Sequence, residues 1–283
     1  SEGEPLNYLV SAFLAALFGL SLVPGDVTDL ETSLAEQTRA GRVKVSADLP
    51  STGGHVGDVE RLSIAIHDVD VKRIPVEALL PIPIPRSPKA RIKRLDVQLT
   101  AAHLEATAAS EVTFEARDLA YDLVTAAIGG QLRVTTVGEQ HVRVRLRDGD
   151  LDDLARSSFP ELMEPKITFE DGKLVGRAKV PIILAAFPVA IRGQLAIEGG
   201  SRVVLRDADI DTGRLQLAAA LKQNITARLN PLIDLEKSLG FPLPVQWQTI
   251  SVGAGECLLE GTVLGVEEPV QRHGFEPRAR YLR

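Results

Sequence analysis

Aromatic residues make up only 4% of this 283-residue chain, which has one Trp, one Met and one Cys. Stacking platforms for sugars or bases are therefore poorly served. The core has to come from Val, Leu, Ile and Ala, which suit strands and long apolar grooves. A single cysteine, Cys257, excludes an internal disulfide framework and a multi-cysteine metal site. It alternates with Leu259 as on a strand and is expected to be a buried small hydrophobe. Positive charge is not in excess: 32 basic residues face 38 acidic ones, a net of -6, which argues against a nucleic-acid footprint over the whole surface.

Signatures of catalysis are also missing. The histidines at 55, 67, 103, 141 and 273 include no pair spaced to share one helix face around a zinc ion. No G-x-S-x-G elbow exposes a nucleophile, and neither G-x-x-x-x-G-K nor G-x-G-x-x-G is present to cradle phosphate. Two acidic runs stand out. Asp148, Asp150, Asp152 and Asp153 lack the closing Glu of a calcium loop and lead into a helix start, so capping is expected, with Asp148 or Asp150 as the cap. Asp207, Asp209 and Asp211 alternate as on the solvent face of a strand. The chain is expected to be no enzyme, with no catalytic residue and no metal.

What is present is hydrophobic pattern. At 45% hydrophobic content and this length, the chain can bury the core of one large β-rich domain or two small ones. Residues 6–23, LNYLVSAFLAALFGLSLV, carry no charge and would be about 27 Å long as a helix, just short of the roughly 30 Å of a bilayer core. Three roles suit this stretch: a membrane-embedded or interfacial anchor, a helix packed on the protein's own sheet, or a docking helix for a partner. In the first, Leu9, Phe13, Leu14, Leu17 and Phe18 are the anchoring residues. Glu2 and Glu4 before it and Pro24-Gly25-Asp26 after it do not match a secretory signal.

Beyond the Pro24-Gly25 break, Val27, Leu30 and Leu34 recur at helical spacing up to Gly41. Strand alternation follows in Val43–Ala47 and Leu62–Ile66. It slips phase at His67-Asp68, which predicts a β-bulge or a strong bend. Further strands are expected at Leu95–Leu99, Val112–Ala116, Leu132–Val137, Val142–Leu146, 174–197, 245–252 and 257–263. A helix is expected over 118–128, and a long one begins near Arg214. Glu170-Asp171-Gly172-Lys173 is a hairpin signal. About ten strands with few crossover helices imply an antiparallel sheet with helices at its ends or on one face, an α+β fold.

Three segments carry functional information. The prolyl loop at 79–85, with Leu79, Leu80, Ile82 and Ile84, is followed by five cations in nine residues: Arg86, Lys89, Arg91, Lys93 and Arg94. An apolar tip with a basic collar is a way to dock on an anionic bilayer, each cation contributing about 1 kcal/mol; a solvated, charge-guarded edge strand is the other reading. His141, Arg143, Arg145 and Arg147 form a second cationic row, facing headgroups, a partner or solvent. The run 180–191, VPIILAAFPVAI, is uncharged and holds Pro181 and Pro188. Ile182, Ile183, Leu184 and Phe187 are then expected at a tip between two strands that contacts lipid or a partner, or else along a cavity or core.

The motif order VRVRLRDGDLDDLARSS, ITFEDGKLVGRAKVPI, FPVAIRGQLAIEGGSRVVLRDADI and LNPLIDLEKSLGFPLPVQWQTISVGAGECLLEGTVLG resembles the LmeA-type phospholipid-binding family of bacterial cell-envelope proteins. The piece VKVSADLPSTGGHVGDVERLSIAIHDVDV looks like that family's opening strands, so the likeness covers roughly residues 27–264. It implies a non-enzymatic phospholipid binder with an elongated, curved antiparallel sheet flanked by helices, similar in outline to tubular lipid-binding domains. On that basis the expected organisation is an apolar helix at 1–25, a lipid-binding-like domain at 26–266 and an extended tail at 267–283. The expected partner is phospholipid or a membrane surface, with no cofactor beyond a bound phospholipid and no nucleic acid. The alternative is a structural or assembly subunit of a membrane protein complex that uses the same fold for docking.

Overall fold

Alternating apolar and polar residues make the strands, and in the computed structural model each apolar set turns to one side. The structure describes residues 27–48, 50, 58–74, 81, 88–105, 107–125, 133–182, 185–213, 230–239 and 243–264. Helix α1 (Val27–Thr38) precedes β1 (Arg42–Asp48), β2 (Val59–Asp70), β3 (Lys89–His103), β4 (Ala108–Asp122), β5 (Val134–Thr136) and β6 (Gln140–Arg147). Helix α2 (Asp152–Ser158) then leads to β7 (Met163–Glu170), β8 (Lys173–Ile182), β9 (Ala185–Glu198) and β10 (Arg202–Asp211). The short β11 (Ile233–Asp234), α3 (Leu235–Leu239), β12 (Val245–Val252) and β13 (Glu256–Val263) complete the described chain, which is largely β.

Two sheets form. Eight strands pair in the order β1-β2-β3-β4-β6-β13-β12, with β5 also on β4, and five pair as β11-β10-β9-β8-β7. Pairing is antiparallel except between β2 and β3, which run parallel. The sequence pattern does not reveal this exception, because alternation sets which face is buried and not strand direction.

The larger sheet is curled, and its phase slips show how. At the expected bend, His67 and Asp68 both face outward and Asp68 has a positive φ of 57°. Thr100-Ala101 in β3 and Ser110-Glu111 in β4 slip at the same level, so His67, Thr100 and Glu111 still pair in register. A second line of slips crosses Glu60-Arg61, Lys93-Arg94 and Arg117-Asp118, with Asp118 at φ 51°. Neighbouring strands that gain an extra residue together bend together, which curves the sheet without breaking its ladder.

Several expectations need correction. The helix expected over 118–128 is strand as far as Asp122, because Lys89–Ile92 pair with 119–122 and Asp122 N–H donates to the Arg133 carbonyl at 2.9 Å. Only 123–125 are helical among its described residues. The strands near 134 and 142, neighbours in sequence and expected as a strand pair, both pair with β4 and not with each other. The Asp171-Gly172 turn is as expected: both residues have positive φ, and Glu170 pairs with Lys173. The long helix expected from Arg214 lies outside the described residues as far as 229.

The acidic run at 148–153 is neither a helix cap nor a cation loop. The residue before α2 is Leu151, and no side chain caps the helix. Instead Asp148 accepts from Phe169 N–H at 2.8 Å, Asp152 from Ile167 N–H at 2.7 Å, and Asp150 from Arg147 and Ser110 N–H at 2.8 and 3.2 Å. These carboxylates satisfy strand donors where the two sheets meet. Gly255 N–H to the Phe169 carbonyl at 2.8 Å and Trp247 N–H to the Gly200 carbonyl at 2.9 Å add backbone links. Phe169, Leu174 and Leu205 thereby share one core with Leu146, Leu151 and Leu259.

Candidate functional site: an apolar groove on the smaller sheet

Along the β8–β9 hairpin the inward pairs are Leu174 with Gly193, Gly176 with Ile191, Ala178 with Val189, and Val180 with Phe187. Three of the four pairs contain a Gly or Ala; Leu205 fills the space beside Gly193, and the surface is low at Ala178, which is only half-buried. The row Ile210, Ile191, Gly176, Ile167 crosses four strands, and the isoleucines close over the glycine between them. A Cβ on Gly176 would meet Ile191 Cγ2 at 3.0 Å and Ile167 Cδ1 at 3.5 Å.

Facing this low floor are Leu154, Ala155 and Ser158 of α2, then Phe159 and Leu162, with Leu232 and Ile233 also on the lining. The result is a groove of about 380 Å³ whose lining is almost wholly hydrocarbon. Its few polar residues are Ser158, Glu161, Arg177 and Thr212. The Arg177 guanidinium already donates to Glu170 at 2.9 Å and Thr168 at 3.1 Å. This Arg177 partnership, the largest cause, holds the Glu170 carboxyl below its usual range.

One end of the groove is continuous with the core, because Leu151, Leu174, Leu205 and Ile233 are all buried. Toward the hairpin end Ala178, Val180, Phe187 and Val189 are only half-buried, and Pro181, Ala186 and Pro188 are exposed. Met163 of the neighbouring strand β7, 46% exposed, pairs with Lys179 of β8.

The sequence candidates fall in different places. Phe187 lies in the groove, Ile182 ends β8, and Ile183 and Leu184 are outside the described residues. Lys89, Arg91, Lys93 and Arg94 stand on β3 of the other sheet. Lys93 pairs with Glu60 at 2.6 Å, which raises its pKa, and Arg94 pairs with Asp96 and Glu115 at 2.8 and 3.4 Å. Lys89 and Arg91 are exposed. Leu79, Leu80, Ile82, Ile84, Arg86 and the anchor candidates Leu9, Phe13, Leu14, Leu17 and Phe18 lie outside the described residues.

Two arginines of the second cationic row are paired with carboxylates, and His141 lies near one. Arg143 pairs with Glu260 at 2.9 Å, Arg145 with Glu111 at 3.3 Å and Glu256 at 3.8 Å, and His141 with Glu139 at 3.7 Å. A polar cleft of about 240 Å³ lies over this ladder. Among the described residues no group of three His, Cys, Asp or Glu side chains could hold a metal ion, and no helix is long and apolar enough to cross a membrane. Cys257 is buried, and burial pushes its thiol up to about 12.

Sequence reasoning missed the far wall of the groove, Leu154, Phe159 and Leu162, and the floor residues Gly176 and Ala178. A signal was present in Leu174, Gly176, Ala178, Val180, where every second residue of one strand is apolar but two of the four are small. Scans against protein-family models, curated proteins and solved structures each find no match for this chain, so a function has to be built from the groove itself.

Proposed function

We propose that this protein is a non-enzymatic lipid binder that works at a membrane surface and shelters acyl chain in the groove of its smaller sheet. On this reading the curled sheet with its few helices serves as an elongated scaffold like that of tubular lipid-binding domains. The observation that carries the reading is the groove: about 380 Å³, walled by hydrocarbon and shallowest in cover at an uncharged hairpin end. Such a lining offers a ligand burial rather than chemistry. Each methylene transferred into it from water contributes about 0.8 kcal/mol, so about ten of them outweigh the lower estimates of the cost of association.

Membrane association draws on sequence features: the uncharged stretch 6–23 and the cations that follow the prolyl loop. Lys89 and Arg91, exposed at the start of β3, are available to anionic headgroups. Native mass spectrometry after gentle purification tests the reading. A lipid adduct that is lost on organic extraction is the expected result. A stoichiometric protein partner with no lipid would replace this reading by that of an assembly subunit.

A further inference from the structure

The dimensions of the groove say more than that it is apolar. This inference rests on the lipid-binding reading and narrows its ligand. At about 30 Å³ for a methylene, close to the share of a water molecule in the liquid, a volume of about 380 Å³ takes roughly a dozen carbons. Two long acyl chains need more than twice that. Continuity with the core at Leu151, Leu174, Leu205 and Ile233 stops a chain from running further, so length is limited as well as width.

We propose that the groove holds one acyl chain, inserted methyl end first from the Val180 and Phe187 end, and that its ligand is a single-chain lipid. Orientation follows from exposure. The buried end lies among Leu151, Leu174, Leu205 and Ile233, where a polar headgroup would lose its water to hydrocarbon, and the half-buried end leaves a headgroup in water. Depth depends on Ala178. A larger side chain there occupies the space that the last carbons of the ligand fill.

The test is calorimetric titration of the delipidated full chain with two single-chain series, fatty acids and lysophosphatidylcholines of eight to eighteen carbons, and with dioctanoyl phosphatidylcholine. In both series Kd should fall about fourfold per added methylene, then level off near twelve to fourteen carbons at one ligand per protein. Dioctanoyl phosphatidylcholine should bind no more than a fewfold tighter than its one-chain counterpart. Ala178→Leu should shift the plateau to chains about three carbons shorter while the melting curve stays in place. Affinity still rising through eighteen carbons, two chains per protein, or a dioctanoyl lipid bound tens of times more tightly would overturn single-chain occupancy and leave lipid binding intact. Absence of binding in every series would overturn both.

Discussion

In the eight-stranded sheet the inward residues Leu62, Ile64, Ile66, Leu95 and Val144 are each no more than 2% exposed, whereas Ala178, Val180, Phe187 and Val189 of the five-stranded sheet remain half-buried. The strands have the same alternation; residue size differs. Paired phase slips curl the larger sheet around Val, Leu and Ile side chains that close on one another. The smaller sheet sets Gly and Ala against larger neighbours and leaves a trough. A closed face stabilises the fold, and an open one is free to bind.

Charge substitution should separate the two faces most sharply. Leu95→Asp buries an unpaired carboxylate in the closed core, at a cost of several kcal/mol, and should abolish cooperative thermal unfolding. Val189→Asp places the same group where water reaches it and should shift the melting temperature by only a few degrees. Equal losses would mean that the groove is core.

Truncation should rank next. Leu62→Ala should cost about 2–5 kcal/mol in urea unfolding, and Val180→Ala about 1 kcal/mol or less. Between these lies the junction. Asp150→Ala strands the Arg147 and Ser110 N–H groups, and a loss of about 1–3 kcal/mol is expected.

Alkali probes the closed face through its buried acids. Burial holds the Cys257 thiol and the Tyr121 hydroxyl neutral and pushes each up to about 12. The unfolded chain ionises them first, so stability is full below about pH 9 and falls as pH rises toward 12. Cys257→Ala should flatten part of that fall in melting temperature measured against pH. An unchanged slope would remove the thiol from the account. The smallest effect is expected at the exposed Arg143–Glu260 pair, where Arg143→Gln should cost less than about 1 kcal/mol.

Much of the fold was legible because periodicity of two sets which face each strand buries. The final strands 245–252 and 257–263, the Asp171-Gly172 hairpin and the slip at His67-Asp68 all stand where the pattern placed them. The tip expected over Ile182–Phe187 was too wide, because the strands run past both prolines: Lys179 pairs with Pro188, Val180 with Phe187 and Pro181 with Ala186. What the pattern could not carry was pairing. The parallel β2–β3 contact and the shared use of β4 by β5 and β6 depend on residues far apart in sequence. The acidic run misled for a related reason: the donors that Asp148 and Asp152 serve, Phe169 and Ile167, lie about twenty and fifteen residues further along the chain. The groove was half visible, as an uncharged run, and half hidden, because its other wall belongs to α2.

The most direct measurement is the titration of a fluorescent single-chain fatty acid into the delipidated protein and into its Val189→Asp variant, each checked to be fully folded at the temperature of the titration. The account predicts saturable binding at one site in the parent and at least tenfold weaker binding in the variant. Equal binding in the two proteins, or none in the parent, would contradict it.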